Sequence, residues 1–146
     1  MAFPAAIAEA LYKGGYSSVA EGILERTLWW GQRMPYWPDS IVANQIEYRK
    51  DTPLQCAIDA SAGAQCVIFG MCGVRVEPSG DVVLNPRPPR FSPQISLKGL
   101  KIRGHNIDLV ADRERYEVRF DGRGITSTVG APVVIPAANH GGVGRG

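Results

Sequence analysis

The chain has 146 residues, 45% of them apolar and 21% charged, with a formal net charge of +2. That apolar fraction excludes a disordered chain, the small charge gives no pointer to nucleic acid, and no stretch approaches the roughly 20 apolar residues of a membrane helix. What remains is room for about one ordinary domain, able to bury roughly two thirds of its unfolded surface.

Charge and periodicity change at nearly the same place. Met1 to Ala60 carries five basic and seven acidic residues and the remainder eleven and seven, so the two parts sum to −2 and +4. The first part reads as helices. Ile7 and Leu11 stand one helical turn apart in Pro4 to Tyr12, and Gly14-Gly15 supplies a stop. Ser18 and Glu21 have capping-box spacing, and Val19, Ile23, Leu24, Leu28 and Trp30 then recur at helical steps up to Gly31, with Glu21, Glu25 and Arg26 on the solvated side. About twenty residues of little periodicity but high aromatic content follow, Gln32 to Asp51, which read as an ordered loop. Thr52-Pro53-Leu54-Gln55 combines a cap, a proline at the first helical position and a box-closing glutamine. The helix it opens, Leu54 to Phe69 with Gly70 as stop, is apolar nearly all round and rich in Ala and Gly. Such a helix belongs in the middle of something, and two short helices are too few to surround it.

From Gly73 the period falls to two. Val74, Val76 and Val82, Leu84 flank the turn residues Pro78-Ser79-Gly80-Asp81. Asn85-Pro86-Arg87-Pro88-Pro89 reads as a stiff spacer unable to join a central ladder. Short strands are expected at Ile95–Leu97, Leu100–Ile102, Ile107–Leu109, Tyr116–Phe120, Ile125–Val129 and Val133–Ile135, separated by turns such as Lys98-Gly99 and Asp121-Gly122. The expected class is α+β, N-terminal α-helices followed by a small antiparallel β-sandwich-like domain. The division falls at 1–70 and 71–136, with a glycine-rich tail, 137–146, expected to fray.

The order of helix, aromatic loop, small-residue helix, hairpin, proline spacer and meander resembles the C-terminal end of the six-hairpin glycosidases. Trp29-Trp30-Gly31, Ala62-Gly63-Ala64-Gln65 leading into Phe69-Gly70, Leu84-Asn85-Pro86-Arg87-Pro88 and Leu97-Lys98-Gly99-Leu100-Lys101-Ile102-Arg103-Gly104 carry the resemblance, which covers about residues 16 to 135. It implies that the helices are the last of an α/α barrel whose other hairpins lie upstream, so that the chain would be a truncated product, a split subunit or a remnant. In the α-L-fucosidase branch a catalytic aspartate sits at the mouth of the last inner helix. Gln55 takes that place here and cannot act as a base, so that mechanism does not carry over.

Glycoside hydrolysis needs two carboxyl groups across one sugar bond. The carboxylates placed for a barrel mouth are Asp39, Glu47 and Asp51, although turn or cap chemistry accounts for both aspartates and surface pairing with Arg49 or Lys50 accounts for Glu47. Tyr36 and Trp37, with Trp30 behind them, offer flat faces for a sugar ring or for packing the loop on the helices. Gln55 joins them as a substrate-side residue. His105 and His140 have no ligand partner at metal-binding spacing and read as solvated. Arg113, Arg115, Arg119 and Arg123, interleaved with Asp112, Glu114, Glu117 and Asp121, read as a solvated face. Ser17 and Ser18 have a cap to explain them and no base nearby.

Of the three cysteines, Cys56, Cys66 and Cys72, the two within the third helix, Cys56 and Cys66, read as small buried hydrophobes and not as a disulfide frame or zinc site. Met1 to Gly15 shows no basic leader before an apolar core, and free thiols lean towards the cytoplasm. The functional expectation is a part of a carbohydrate-active, glycoside hydrolase-like protein that lines a sugar cleft without turning over substrate alone. The alternative is a non-catalytic glycan-binding or assembly module. Neither metal nor cofactor is expected. Expected partners are carbohydrate and either the missing barrel hairpins or a second copy, with no nucleic acid and no membrane.

Overall fold

The computed structural model describes residues 4–33 and 57–138. Three helices precede two antiparallel sheets, which makes the chain α+β. Helix α1 is Pro4–Lys13, with proline at the first position, where its missing N–H costs nothing. Its buried face is Ala5, Ala8 and Tyr12, whereas Ile7 remains 51% exposed. The larger aliphatic is therefore left outside and the alanines are used for close approach. Gly15 takes φ +86°, and the Tyr16 N–H reaches the Leu11 carbonyl at 2.8 Å, which closes the turn into α2.

Helix α2 is Ser17–Gly31, two residues earlier than a capping box on Ser18 requires. Tyr16 occupies the cap position without a side-chain bond, its carbonyl accepting from Val19 and Ala20. The expected box does not form because the tight two-glycine turn already sets where the helix begins. Glu21 is also not on a solvated side: its side chain is only 12% exposed, lying beneath Arg90, whose Nε donates to Oε2 at 3.0 Å. Ala20, Leu24 and Thr27 form the buried stripe, and the Thr27 hydroxyl donates back to the Ile23 carbonyl.

Helix α3 is Ala57–Gln65 and runs on as a π-helical stretch, Cys66–Met71, closed by the Cys72 N–H on the Val67 carbonyl at 2.8 Å. The expected stop at Gly70 is overturned. The helix passes through that residue, and Gly73, at φ +63°, makes the turn. Gly70 serves packing: a Cβ there would stand 3.0 Å from the Tyr12 ring and 3.4 Å from the Glu9 Cα. Cys66 and Met71 join the helical core with Ala5, Ala8, Tyr12, Ala20 and Leu24, while Cys72 joins the β core, against which Val67, Ile68 and Phe69 pack. The C-terminal turns of this apolar helix thus find walls on both sides, α1 on one and the β-sheets on the other.

The first sheet has the order β1 (Val74–Val76), β2 (Val82–Leu84), β7 (Val133–Ile135). The second is a meander of β3 (Ile95–Ile102), β4 (His105–Ala111), β5 (Arg115–Phe120) and β6 (Arg123–Thr128). Lys98-Gly99 is not a turn between two strands. It is a bulge inside one long β3, where the register shifts and Gly99 takes φ +67°. Asp108 on the neighbouring strand pins it, accepting the Gly99 N–H at 2.7 Å.

Both sheets contribute to one core. Val74, Val82, Leu84, Val133 and Ile135 meet Ile107, Leu109, Tyr116, Val118 and Phe120. The Tyr116 hydroxyl lies 2.5 Å from the Ala131 carbonyl and 3.2 Å from that of Leu84, tying β5 to the first sheet.

The proline segment does more than space the sheets apart. The Asn85 N–H donates to the Gly73 carbonyl at 3.2 Å and that of Arg87 to the Met71 carbonyl at 2.8 Å, with Pro86 and Pro89 fully buried. Prolines lack the N–H, but every second residue between them still carries one, and those continue the hairpin ladder.

Candidate functional site

The residues singled out for sugar chemistry, Asp39, Glu47 and Asp51 as carboxylates and Tyr36, Trp37 and Gln55 as contacts, lie outside the described residues. So do Cys56 and His140. Trp30 is half-buried, edge-on to Trp29 with ring centroids 5.0 Å apart. The Arg33 guanidinium lies 3.6 Å from the Trp29 ring centre and donates to the Trp29 carbonyl.

The described residues form a groove between the helices and the first sheet, with a volume of about 250 Å³. Its origin lies in the hairpin register. Val74 pairs with Leu84 and Arg75 with Val83, and the bonds from Asn85 to Gly73 and Arg87 to Met71 extend the same register past the strand ends. With a period of two, Cys72, Val74, Val82, Leu84 and Pro86 point one way and are all buried. Gly73, Arg75, Val83, Asn85 and Arg87 share the other face, and all five line the groove. Tyr12 and Lys13 at the end of α1, Phe69 and Gly70 in the π-helical stretch, and Pro132 complete it. Gly73 is obligatory, since a Cβ there would lie 2.0 Å from the Asn85 carbonyl oxygen.

Three cations and no carboxylate belong to this lining. Two of them are already engaged: Lys13 pairs with Glu9 one helical turn earlier, and Arg75 with Glu77 at 2.6 Å. Arg87 has no ion-pair partner among the described residues. Asn85 Oδ1 is buried with no hydrogen-bond partner among them, a costly state for an amide oxygen. Asn85 and Arg87 lie in the 85–89 stretch, which by composition is only a spacer. The signal was the alternation of Gly73, Arg75 with Asn85, Arg87 about one turn.

Elsewhere, chemistry-bearing side chains have structural duties. Burial pushes the Cys66 and Cys72 thiols up to about 11, the Glu9 charge adding to Cys66, so both are protonated at neutral pH and poor nucleophiles. They are free and buried, as small hydrophobes would be. His105 is not solvated. It is buried, with Nδ1 2.6 Å from Asp121 Oδ2 and Nε2 3.0 Å from the Pro136 carbonyl, so it joins β4, the β5–β6 turn and the segment after β7.

The aspartates of the meander are turn-formers rather than a plain charged face. Asp112 accepts the N–H groups of Glu114 and Arg115, both at 2.8 Å. Arg119 does pair with Glu117 on the surface, and Arg113 donates to the Arg90 carbonyl. Among the described residues there is no group of three or more metal-ligating side chains, and no helix is long and apolar enough to cross a membrane.

Comparison with known proteins returns no match: no family model, no curated protein and no solved structure.

Proposed function

We propose that this chain is part of a carbohydrate-active, six-hairpin-like protein and works as a non-catalytic binding and assembly element. Its helices are one side of an α/α barrel and its two sheets a sandwich-like C-terminal domain. The observation that carries this reading is where apolar surface is left uncovered. In α1, α2 and the turn between them, Ile7 is 51%, Tyr16 64% and Val19 54% exposed, and Leu28 and Trp29 are exposed as well. Helices of an incomplete layer expose apolar residues in this way, since each would face a neighbouring hairpin. The inward residues of both sheets, by contrast, are covered within this chain.

In this reading the sugar contact falls to Tyr36, Trp37 and Gln55, with Asp39, Glu47 and Asp51 orienting ligand or water. Catalysis across a glycosidic bond would need a second carboxyl from the missing hairpins. The test is the solution mass of the purified chain by light scattering on a sizing column, alongside thermal unfolding. Concentration-dependent association is the expected result, through the helix faces. A monomer near 15.8 kDa that melts cooperatively at all concentrations would overturn the assembly reading.

A further inference from the structure

We infer that the free edge of β6 is a surface for self-association, on which β6 of a second copy pairs antiparallel about a two-fold axis at Ile125. The second sheet then runs on across two chains. The inference stands on this edge and does not depend on the carbohydrate reading. Among the described residues the two sheets end in four edges, and three of them are protected. β1 and β7 are only three residues long, and β3 is broken by the bulge at Lys98-Gly99 and carries Lys98 and Lys101. β6 has none of these devices: six residues in unbroken register with β5, no proline, and no charge after Arg123. Five of the six are exposed, Ile125 among them at 38%. Such an edge is a template for another strand.

The register follows from the main-chain groups that β6 leaves open. The Val129 N–H donates to the Glu114 carbonyl at 2.9 Å. By the alternation of an antiparallel ladder, Ser127 with Tyr116, Ile125 with Val118 and Arg123 with Phe120 are then the pairs that exchange hydrogen bonds. Gly124, Thr126 and Thr128 turn their N–H and carbonyl groups outward. The Thr128 carbonyl is taken by the Ala131 N–H at 3.0 Å, whereas Gly124 and Thr126 have no such partner among the described residues. An axis at Ile125 sets Gly124 opposite Thr126 of the second copy and Thr126 opposite its Gly124, so the open donors and acceptors answer one another. Ile125 then meets Ile125 of the second copy directly, as a closely spaced pair with about 4.5 Å between Cα atoms, and both apolar side chains are covered.

Charge selects this register over its neighbour. On the outer face Glu117 stands beside Thr126 and Arg119 beside Gly124, and the two side chains pair within the chain. Gly124 leaves that row open, with Glu117 Oε1 3.9 Å from where a Cβ would stand. With the axis at Ile125, Glu117 lies in line with Arg119 of the second copy, so the two ion pairs meet with opposite ends facing. An axis at Thr126 would align Glu117 with Glu117 of the second copy, and Arg119 with its Arg115, which is repulsive.

The test follows backbone amide resonances and diffusion of the full chain from dilute to concentrated solution. Concentration-dependent shifts and slowed hydrogen exchange are expected at Gly124 and Thr126, with diffusion slowing towards that of a dimer. Thr126→Pro removes an outward N–H and no bond to β5. Since the axis repeats each change on both strands, it should weaken association by about tenfold or more. Ile125→Lys leaves the main chain intact, sets two like charges directly opposite, and should weaken association as much. Val19→Ser, on the exposed side of α2, should leave the edge contact unchanged. Association that V19S abolishes and T126P leaves intact would belong to the helix faces and overturn the edge proposal alone, and the reverse result would remove the helix-face reading and keep the edge. Exchange at Gly124 and Thr126 already slow in dilute, monomeric chain would mean that the edge is covered within one molecule, which also overturns the proposal, as does the absence of any concentration dependence. Unchanged amide spectra and melting of I125K in dilute solution separate a lost contact from a lost fold.

Discussion

Tyr12 illustrates how a residue can satisfy packing and fail chemically. Its ring is fully buried between α1, α2 and the π-helical stretch, yet its hydroxyl has no hydrogen-bond partner among the described residues. Burial, then the charge of Glu21 and the Cys66 thiol, hold its phenol well above the ordinary value, so it stays neutral. An unpaired buried hydroxyl costs more than it returns, and Tyr12→Phe should therefore stabilise the chain, by about 1 kcal/mol in chemical denaturation. A lower midpoint would mean that the hydroxyl has a partner. Gly73 is the opposite case, a residue with no tolerance. Its positive φ and the Asn85 carbonyl oxygen, which an added Cβ would meet at 2.0 Å, leave no room for a side chain. Gly73→Ala should cost at least about 2 kcal/mol, through strain and forced separation of the hairpin from the proline segment. A loss under half of that would show that the segment yields.

At the scale of elements, the helix ending in Met71 decides the geometry of both halves. Its last turns touch α1 through Gly70 and the β core through Val67, Ile68 and Phe69. Gly70→Ala should lower stability by roughly 1–2 kcal/mol, because the methyl meets the Tyr12 ring at 3.0 Å and the Glu9 backbone just behind it. The spacing of the third helix announced an apolar, thin element that needs walls on several sides. That one of the walls is the β-sheet pair was not legible, because periodicity says that a face is buried and never against what. The Ser18–Glu21 box failed for a related reason. Local capping competes with the preceding two-glycine turn and with Arg90, 69 residues away in sequence, and the distant partner took the carboxylate.

Across the described residues, Asp81, Asp112 and Asp121 are among the carboxylates fastened into turns and tails. The Ala137 N–H and then the Ser79 hydroxyl hold Asp81 below the usual carboxylate value, and backbone N–H groups of Arg115 and Glu114 do so for Asp112. The His105 ring, then the Asn106 N–H, does so for Asp121. A carboxylate whose folded value is depressed contributes stability in full above its unfolded value, about 4, and loses it as pH falls through the folded value. The chain should therefore hold its thermal midpoint from neutrality down to about pH 5 and lose it steadily below about pH 4. Asp81→Asn should flatten part of that slope, and an unchanged slope would show that the Asp81 bonds are not made in solution. Asp81 and Asp121, through His105, both fasten the segment that follows β7, so its first residues, Pro136 and Ala137, are held. Fraying from 137 onward was the expectation from composition, and the anchor was invisible there because its partners, Asp81 and His105, lie 56 and 31 residues upstream.

The sequence by itself determined what local periodicity can carry: the helical first part, the hairpin about Pro78–Asp81, most strands of the meander, and the α+β class. It also determined that Cys66 is buried. The tertiary structure alone decided which stripe of α1 and of α2 turns inward, that Lys98-Gly99 is a bulge and that His105 is buried. It also brought Lys13, Arg75, Asn85 and Arg87 to one groove. The physical reason is common to all of these. Period and propensity depend on neighbours a few residues away, whereas burial of a polar group and the choice between two apolar faces depend on partners brought together only when the chain closes.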